Sequence, residues 1–244
     1  MEISSALRQF YSTELAPCPY LPGRVERRVV TVLDPTNADE SFDALTEAGF
    51  RRSQSYLYRP ACPGCRACVS VRIVVDAFRP DRTGRKILQR NADLTVEEVP
   101  AVTTDEQYAL FRRYLQARHD DGGMALMTRQ DYAEMVERGG RVAGLVELRR
   151  GDGSLGGVSL TDRLRSGLSG VYKFFDASEP KRSLGTFIIL WHVQRARELG
   201  LPYVYLGYWV AGCRKMAYKV RFQPLEWLDG WTWRPMAPLP EGMG

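Results

Sequence analysis

The stretch LSGVYKFFDASEPKRSLGTF, Leu168–Phe187, changes period halfway through. Its first part alternates, with Tyr172 and Phe174 on one side of an extended chain and Phe175 on the other, as a strand requires. Asp176 follows, then a turn-rich run through Pro180. From Leu184 the apolar residues recur at helical spacing as far as Leu199, where Gly200 and Pro202 stop the helix. Toward the N-terminus, RVAGLVELR (141–149) and SLGGVSLTD (154–162) read as two further strands, with RGDG and RLRSG as the turns between them. Before these, Thr104 and Gln107 make a capping box for a helix with Tyr108, Phe111, Tyr114 and Leu115 on one face. Thr128 opens a shorter helix with Tyr132, Met135 and Val136 inward and Gly139-Gly140 as its stop. Toward the C-terminus, PYVYLGYW is a strand, AGCRKMAYKV a short helix, and FQPLEWLDGWTWRP one or two last strands.

A change of character near VPAVTT (99–104) divides the chain into an N-terminal part, 1–100, and a C-terminal part, 101–244. In the first, Thr36–Ala48 reads as a helix with Phe42 and Leu45 inward and Gly49 as its cap, and SYLYRP and VSVRIVV read as strands flanking a group of cysteines. The fold class expected is α+β. The order helix, helix, three strands, helix, strand, helix over 102–222 resembles the GNAT acyltransferase fold. The smaller cysteine-containing α/β part packs on it. In that fold the N-terminus of the long helix carries Q/R-x-x-G-x-G/A for a cofactor pyrophosphate. Arg182 and Gly185 match, but Phe187 fills the second small position, where a ring obstructs close approach of pyrophosphate to the backbone. The reading is acyl-transfer architecture with a donor other than acetyl-CoA.

The chain has 244 residues, 44% hydrophobic and 11% aromatic, with net charge +5. No run of eighteen apolar residues suggests a membrane span. The start MEISSALRQFYSTEL lacks the apolar core of a secretory signal, so the expected compartment is the reducing cytoplasm. Lysine is confined to Lys86, Lys173, Lys181, Lys215 and Lys219, and arginine makes up the rest of the 34 cations. The segment AFRPDRTGRKILQR concentrates Arg79, Arg82, Arg85, Lys86 and Arg90. It reads as a loop facing a polyanion, with Arg82 and Arg85 as candidate contacts. A second cluster interleaves Lys215 and Lys219 with Tyr218, a combination suited to phosphates and bases.

CPYLPGR (18–24), LYRPACPGCRACVSVRI (57–73), RNADL (90–94), VYKFFD (171–176), RSLGTF (182–187) and LPYVYLGYWVAGCRKMAYKVRFQPLE (201–226) together resemble the aminoacyl-tRNA–protein transferase family, and its short bacterial branch in particular. The resemblance covers nearly the whole chain in the family's order. It implies transfer of leucine from leucyl-tRNA to the α-amine of proteins beginning with Asp or Glu, a modification that marks them for degradation. The alternatives are arginyl transfer and a tRNA-binding module without catalysis. An aminoacyl ester is already activated, so amine attack needs alignment, a neutral amine and donors for the developing oxyanion. The sequence carries no G-x-S-x-G elbow and has two histidines, His119 and His192.

The donor site is expected around GVYKFFD and RSLGT. Asp176 is a candidate general base, or else a turn cap, and Tyr172 a second catalytic candidate. Phe174, Phe175, Arg182, Ser183, Gly185 and Thr186 are candidates for holding the tRNA end. So are Tyr205 and Tyr208, which either stack on the terminal adenine or pack inward, and Lys215, Tyr218 and Lys219. The acceptor carboxylate calls for an arginine fork. The candidates are Arg24, Arg59 and Arg72, with Tyr20 nearby. The chemistry requires no cofactor. Cys62, Cys65 and Cys68 form C-x-x-C-x-x-C, and the resemblance brings Cys18 to the same place, which would give four thiols for Zn²⁺ or an iron–sulfur cluster. The competing reading is metal-free thiols beside the acceptor.

Overall fold

The computed structural model describes residues 8–33, 38–118 and 126–237, with the side chains of 38–41 left out of the description. The N-terminal elements are β1 (Tyr11–Ser12), β2 (Ala16–Pro17), β3 (Val25–Glu26), β4 (Arg28–Val32), α1 (Ala38–Glu47), β5 (Arg51–Ser53), β6 (Tyr56–Pro60) and β7 (Cys68–Val74). Then come α2 (Arg82–Arg90), β8 (Thr95–Pro100), α3 (Asp105–Arg118), α4 (Arg129–Glu137), β9 (Ala143–Arg149), β10 (Leu155–Arg163) and β11 (Gly167–Phe175). The chain continues with α5 (Leu184–Glu198), β12 (Tyr203–Val210), β13 (Leu225–Asp229) and β14 (Thr232–Met236).

The architecture is mixed α/β around a large mixed sheet of eight strands in the order β14-β13-β7-β12-β11-β10-β9-β8. A four-stranded sheet, β1-β4-β6-β5, and the β2-β3 ribbon stand beside it. Within the eight strands only β11 and β12 run parallel, as a strand–helix–strand crossover through α5 dictates. Strands from both sides of residue 100 share this sheet, since β7 is hydrogen-bonded between β12 and β13.

Three apolar clusters hold the layers. Helix α5 buries Leu184, Phe187, Ile188, Ile189 and Val193 against Ile73, Leu168 and Val204 of the sheet. Phe187 is therefore a core side chain. Helices α3 and α4 cover the other face, where Phe111, Leu115 and Tyr132 meet Leu145, Val158 and Phe174. Phe42 of α1 packs with Phe50, Leu57 and Tyr205. The Thr104–Gln107 capping box forms, with reciprocal bonds of 3.0 and 3.2 Å.

Two sequence expectations change. The basic segment is a helix, α2, capped by Asp81, whose carboxylate accepts from the Gly84 N–H at 2.6 Å. It is amphipathic, burying Gly84 and Ile87, and the Pro and Gly that suggested a loop lie before its start and on its packed face. AGCRKMAYKV is a turn followed by one 3-10 turn, Ala217–Arg221, because Gly212 takes φ +76° and interrupts helical continuity.

The parallel pairing of β11 and β12 is short: Gly167, Leu168 and Ser169 face Tyr203, Val204 and Tyr205. At Gly167 a Cβ would lie 2.3 Å from the Tyr203 carbonyl oxygen, so only glycine permits this approach. Gly167→Ala is expected to lower unfolding stability by about 2–3 kcal/mol, the cost of forcing backbone apart in a packed core. Gly151→Ala, where an added Cβ would meet nothing beyond its chain neighbours within 4 Å, should change it by less than about 0.5 kcal/mol. Urea midpoints of the two variants check the difference.

A candidate acyl-transfer site at the splayed centre of the sheet

Beyond Ser169 and Tyr205, β11 continues to Phe175 and β12 to Val210 without pairing to each other. The gap holds a cavity of about 210 Å³. Val171 of β11, Ile188 and Ile189 of α5, and Val204 and Leu206 of β12 give it an apolar lining, and Tyr172, Lys173, His192, Tyr218 and Lys219 supply its polar atoms. No carboxylate lines it among the described residues.

The polar groups are unusual in their burial. Lys173 Nζ donates to the Gly185 carbonyl at 2.9 Å and sits 5.2 Å from the Tyr218 ring centroid. Burial drops its pKa to about 7. Lys219 Nζ donates to the Tyr208 carbonyl; burial, reinforced by Arg51 and Lys173, brings it to about 7 as well. His192 meets Thr161 Oγ1 at 2.9 Å, and burial, with Lys173 nearby, lowers its pKa to about 3, so it is neutral and structural. The Tyr172 hydroxyl is buried without a hydrogen-bond partner among the described residues, and burial pushes its pKa up, keeping it a proton donor.

A second cavity of about 160 Å³ adjoins the first, sharing Gly170, Val171, Leu206 and Lys219 as its wall. Tyr20, Arg51, Arg52, Tyr58, Ser169, Gly207, Tyr208 and Met216 complete it. Strand β5 sends its adjacent arginines to different partners. Arg52 forms a buried fork on Asp162 of β10 at 2.8–3.1 Å. The Arg51 guanidinium is buried with no hydrogen-bond acceptor on any of its nitrogens among the described residues.

The expected site residues fall into separate groups. Tyr172 and Lys219 meet in the first cavity, and Tyr218 lines it too. Tyr205 is fully buried, its hydroxyl 3.0 Å from Ser166 Oγ, and the Tyr208 hydroxyl donates to the Gly49 carbonyl at 2.7 Å, so both pack inward. Phe174 is a core residue, and Phe175 packs on Tyr114 and covers Gly185, where a Cβ would meet its ring at 3.0 Å. Gly185 therefore serves helix–strand packing. Asp176 caps its own turn, accepting from Ser178 N and Oγ at 3.0 and 2.7 Å, and pairs with Arg150 at 2.9 Å. Those bonds hold its pKa below the usual range, Ser178 contributing most. Arg182 is committed to Asp93 and Glu179, and the Ser183 carbonyl accepts from the Thr186 N–H at 2.9 Å. Lys215, Arg82 and Arg85 are exposed.

On the acceptor side, Arg72 is taken by Glu226 at 2.7 Å and stacks on Tyr203, and Arg59 donates to Gly230 O and covers Trp231. Arg24 lies beside Cys65, whose thiol pKa is held down by a backbone hydrogen bond with Ala67 and by Arg24. Tyr20 lines the second cavity. Cys18 does come to the later cysteines: Cys18, Cys62 and Cys68 face one small cavity with Glu26 and Arg28. Burial pushes the Cys68 thiol up to about 11. Among the described residues no group of three or more His, Cys, Asp or Glu is set to hold a metal ion, and a guanidinium shares the thiol cavity. The Cys68 thiol feels those of Cys62, Cys18 and Cys65, so the fold brings all four together. His119 lies outside the described residues. Arg51 and Lys173 escape a reading of the sequence: doubled arginines and a lysine inside an aromatic strand look like surface charge until the strands are placed.

Lys173 generates a prediction. Between pH 7 and 10.5 the unfolded lysine is protonated and the folded one is neutral, so the unfolded state binds more protons and stability rises with pH. Lys173→Met should remove about half of that rise, Lys219 supplying the rest, and raise stability at pH 7 by on the order of 3 kcal/mol. Unfolding free energies measured from pH 6 to 10 check it.

Comparison with known proteins shows the family. The family model for the C terminus of arginine-tRNA-protein transferase matches residues 106–229, and the model for its N terminus matches 16–86. The chain is 58% identical to aspartate/glutamate leucyltransferase of Parvibaculum lavamentivorans, over 93% of this chain and 95% of that one. It is 52% identical to that of Paramagnetospirillum magneticum, covering 94% of each, and 56% identical to that of Nitrobacter hamburgensis, covering 92% and 91%. Among solved structures, L-PGS from Bacillus licheniformis shares 13% identity over 70% of this chain and 59% of that one, with a TM-score of 0.47. With both family models in order and relatives of this identity over almost the whole length, the chain belongs to the arginine-tRNA-protein transferase family.

Proposed function

We propose that this protein transfers leucine from leucyl-tRNA to the α-amine of proteins that begin with Asp or Glu. The observation that carries the reading is the apolar cavity at the splay of β11 and β12, walled by Lys173 and Lys219 and by no carboxylate among the described residues. Val171, Ile188, Ile189 and Leu206 suit a branched aliphatic side chain. A guanidinium there would be desolvated beside two amines with nothing to pair with, a cost that selects leucine over arginine. The names of the relatives support the same choice.

In this reading the leucyl ester enters from the N-terminal end of α5 with its carbonyl oxygen toward the Tyr172 hydroxyl, a buried donor with no other partner among the described residues. That hydroxyl stabilises the oxyanion as the tetrahedral centre forms. Lys219 stands in the wall between the two cavities. As a neutral amine it takes a proton from the acceptor's ammonium group, whose own pKa is about 8. The free amine attacks the ester carbon, the amide C–N bond forms and the C–O bond to the ribose breaks; the nitrogen sheds a second proton on addition, and of the two protons one goes to the 3′- or 2′-oxygen and the other to solvent. Asp176 acts as a turn cap. The C-terminal end of α2 meets the start of α5, where Asn91 Nδ2 donates to the Arg182 carbonyl at 2.9 Å, and the exposed cations along α2 hold tRNA phosphates. The GNAT-like description of 101–244 is part of this proposal, supported by the splay in front of α5. The same holds for the division of labour between 1–100 at the acceptor and 101–244 at the donor. The cysteines take no step in it.

The direct test supplies leucyl- or arginyl-tRNA with an Asp-initiated peptide. Leucine should transfer and arginine should not; transfer of arginine alone would overturn the reading. With leucyl-tRNA, the rate should rise with pH through about 7 and then level, because the base must be unprotonated. Lys219→Met should lower kcat by about 10²- to 10⁴-fold, and Lys219→Arg, which cannot give up its proton, should not restore it. For the tRNA face, Arg82→Ala with Arg85→Ala should flatten the log–log salt dependence of tRNA affinity by about 1.5.

A further inference from the structure

Arg51 is a charge without a counter-charge. Its residue is 7% exposed and its Nε, Nη1 and Nη2 all lack a hydrogen-bond partner among the described residues. The strongest electrostatic influences on it are the Tyr208, Tyr205 and Tyr58 phenols and a second cation, Arg72. Its guanidinium carbon lies 5.2 Å from the Tyr205 ring centroid, which gives it a π face but no acceptor. Lys219 stands across the same cavity. Neighbouring Arg52 shows what this fold does with a structural buried arginine: it provides Asp162. An unneutralised guanidinium beside an amine, in a cavity of about 160 Å³, is the wall of an anion site.

We propose that Arg51 binds the side-chain carboxylate of the acceptor's N-terminal Asp or Glu and is the residue that makes the enzyme select acidic N-termini. This rests on the leucyl-transfer reading and deepens it. The cavity that holds Arg51 shares Gly170, Val171, Leu206 and Lys219 with the leucyl cavity. An aminoacyl residue with its carboxylate on Arg51 has its α-amine a few bonds away, beside Lys219 and facing the ester. The planar fork of arginine matches both oxygens of a carboxylate. A neutral Asn or Gln side chain would leave the buried charge uncompensated, and a Lys or Arg side chain would set a second cation against it. The family's acid selectivity thereby acquires a site in a residue that also explains its own burial. Arg59 and Arg72 are already occupied by Trp231 and Gly230, and by Glu226, and they leave no free fork in this cavity.

The test uses the full chain with leucyl-tRNA and peptides identical except for Asp, Glu or Asn at the first position. The wild type should prefer Asp and Glu to Asn. Arg51→Met, which keeps length without charge, should lose about a hundredfold in kcat/KM for Asp and Glu, mostly through KM. It should leave the Asn peptide nearly unchanged, so discrimination collapses. Its melting temperature should be equal or higher, since an unpaired buried charge has been removed. Arg51→Lys should keep the preference for Asp with weaker affinity. Equal losses with all three peptides would overturn the proposal, placing Arg51 on the ester or the tRNA; an unchanged Asp-to-Asn ratio would also overturn it. Calorimetric binding of the Asp peptide to protein without tRNA reads the same residue independently of chemistry. If the wild type binds the Asp peptide and Arg51→Met does not, Arg51 is the carboxylate site even where leucyl transfer itself fails. If both bind alike, the site lies elsewhere.

Discussion

Three residues of parallel pairing, Gly167–Ser169 against Tyr203–Tyr205, govern the rest of the molecule. They are enough to make eight strands one continuous sheet, and too few to keep β11 and β12 together along their length. The crossover through α5 sets the parallel sense, and the antiparallel partners on each side, β10 and β7, hold the two strands where they diverge. Divergence inside a sheet would leave backbone groups facing nothing. Here Lys219 satisfies the Tyr208 carbonyl on one arm, and Gly207, at φ +79°, bends that arm away. The cavity results from where hydrogen bonding stops: its strand residues are held by the sheet, and α5 and the 3-10 turn that carries Lys219 close it.

Rigid placement matters because the site is electrostatically expensive. Two amines and the Arg51 guanidinium line neighbouring cavities with no carboxylate to pair them among the described residues, whereas Arg52, in the second cavity too, has Asp162. Each costs several kcal/mol in the folded state. The apolar clusters around α5 and around Phe111, Tyr132 and Phe174 supply the stability that offsets this. The lysines respond by giving up protons near neutrality, which is what a base for an ammonium group must do. The arginine cannot respond that way, so its charge waits for a ligand. The exposed ion pairs have a separate role. Arg182 with Asp93 and Glu179 fastens the start of α5 to the segment after α2.

Periodicity and punctuation make much of this legible. The alternation of Tyr172, Phe174 and Phe175 and the helix from Leu184 are as the sequence reads, because each element buries one well-marked face. The return of Cys18 to Cys62 and Cys68 follows from the family resemblance and is seen. Helix α2 reads as a loop because Pro80 and Gly84 look like loop punctuation, although one precedes the cap and the other packs against Leu190. Strand β8 escapes notice because TVEEVP sits at the sheet edge, where both faces are largely polar and exposed. Lys219 reads as a phosphate ligand on a helical face, since burial of a lysine depends on strands distant in sequence. Arg51 is invisible for the same reason. Nothing local separates it from Arg52, and only the positions of Asp162 and of the splay assign one to structure and the other to a ligand.

A transfer that uses no covalent enzyme intermediate must hold both substrates at once, and it must also stop after one addition. Contiguous cavities with Lys219 in their common wall meet the first demand. The second follows from Arg51. Once leucine is attached, the acidic residue becomes the second of the chain and the new N-terminal side chain is apolar. For that product to act as an acceptor, an isobutyl group would have to lie against an unneutralised guanidinium, losing the carboxylate pair that bound the original substrate. The discrimination is the same one that rejects neutral N-termini, and it falls on binding before chemistry begins. Under the proposal, a single unpaired buried charge both selects acidic N-termini and disfavours a second addition.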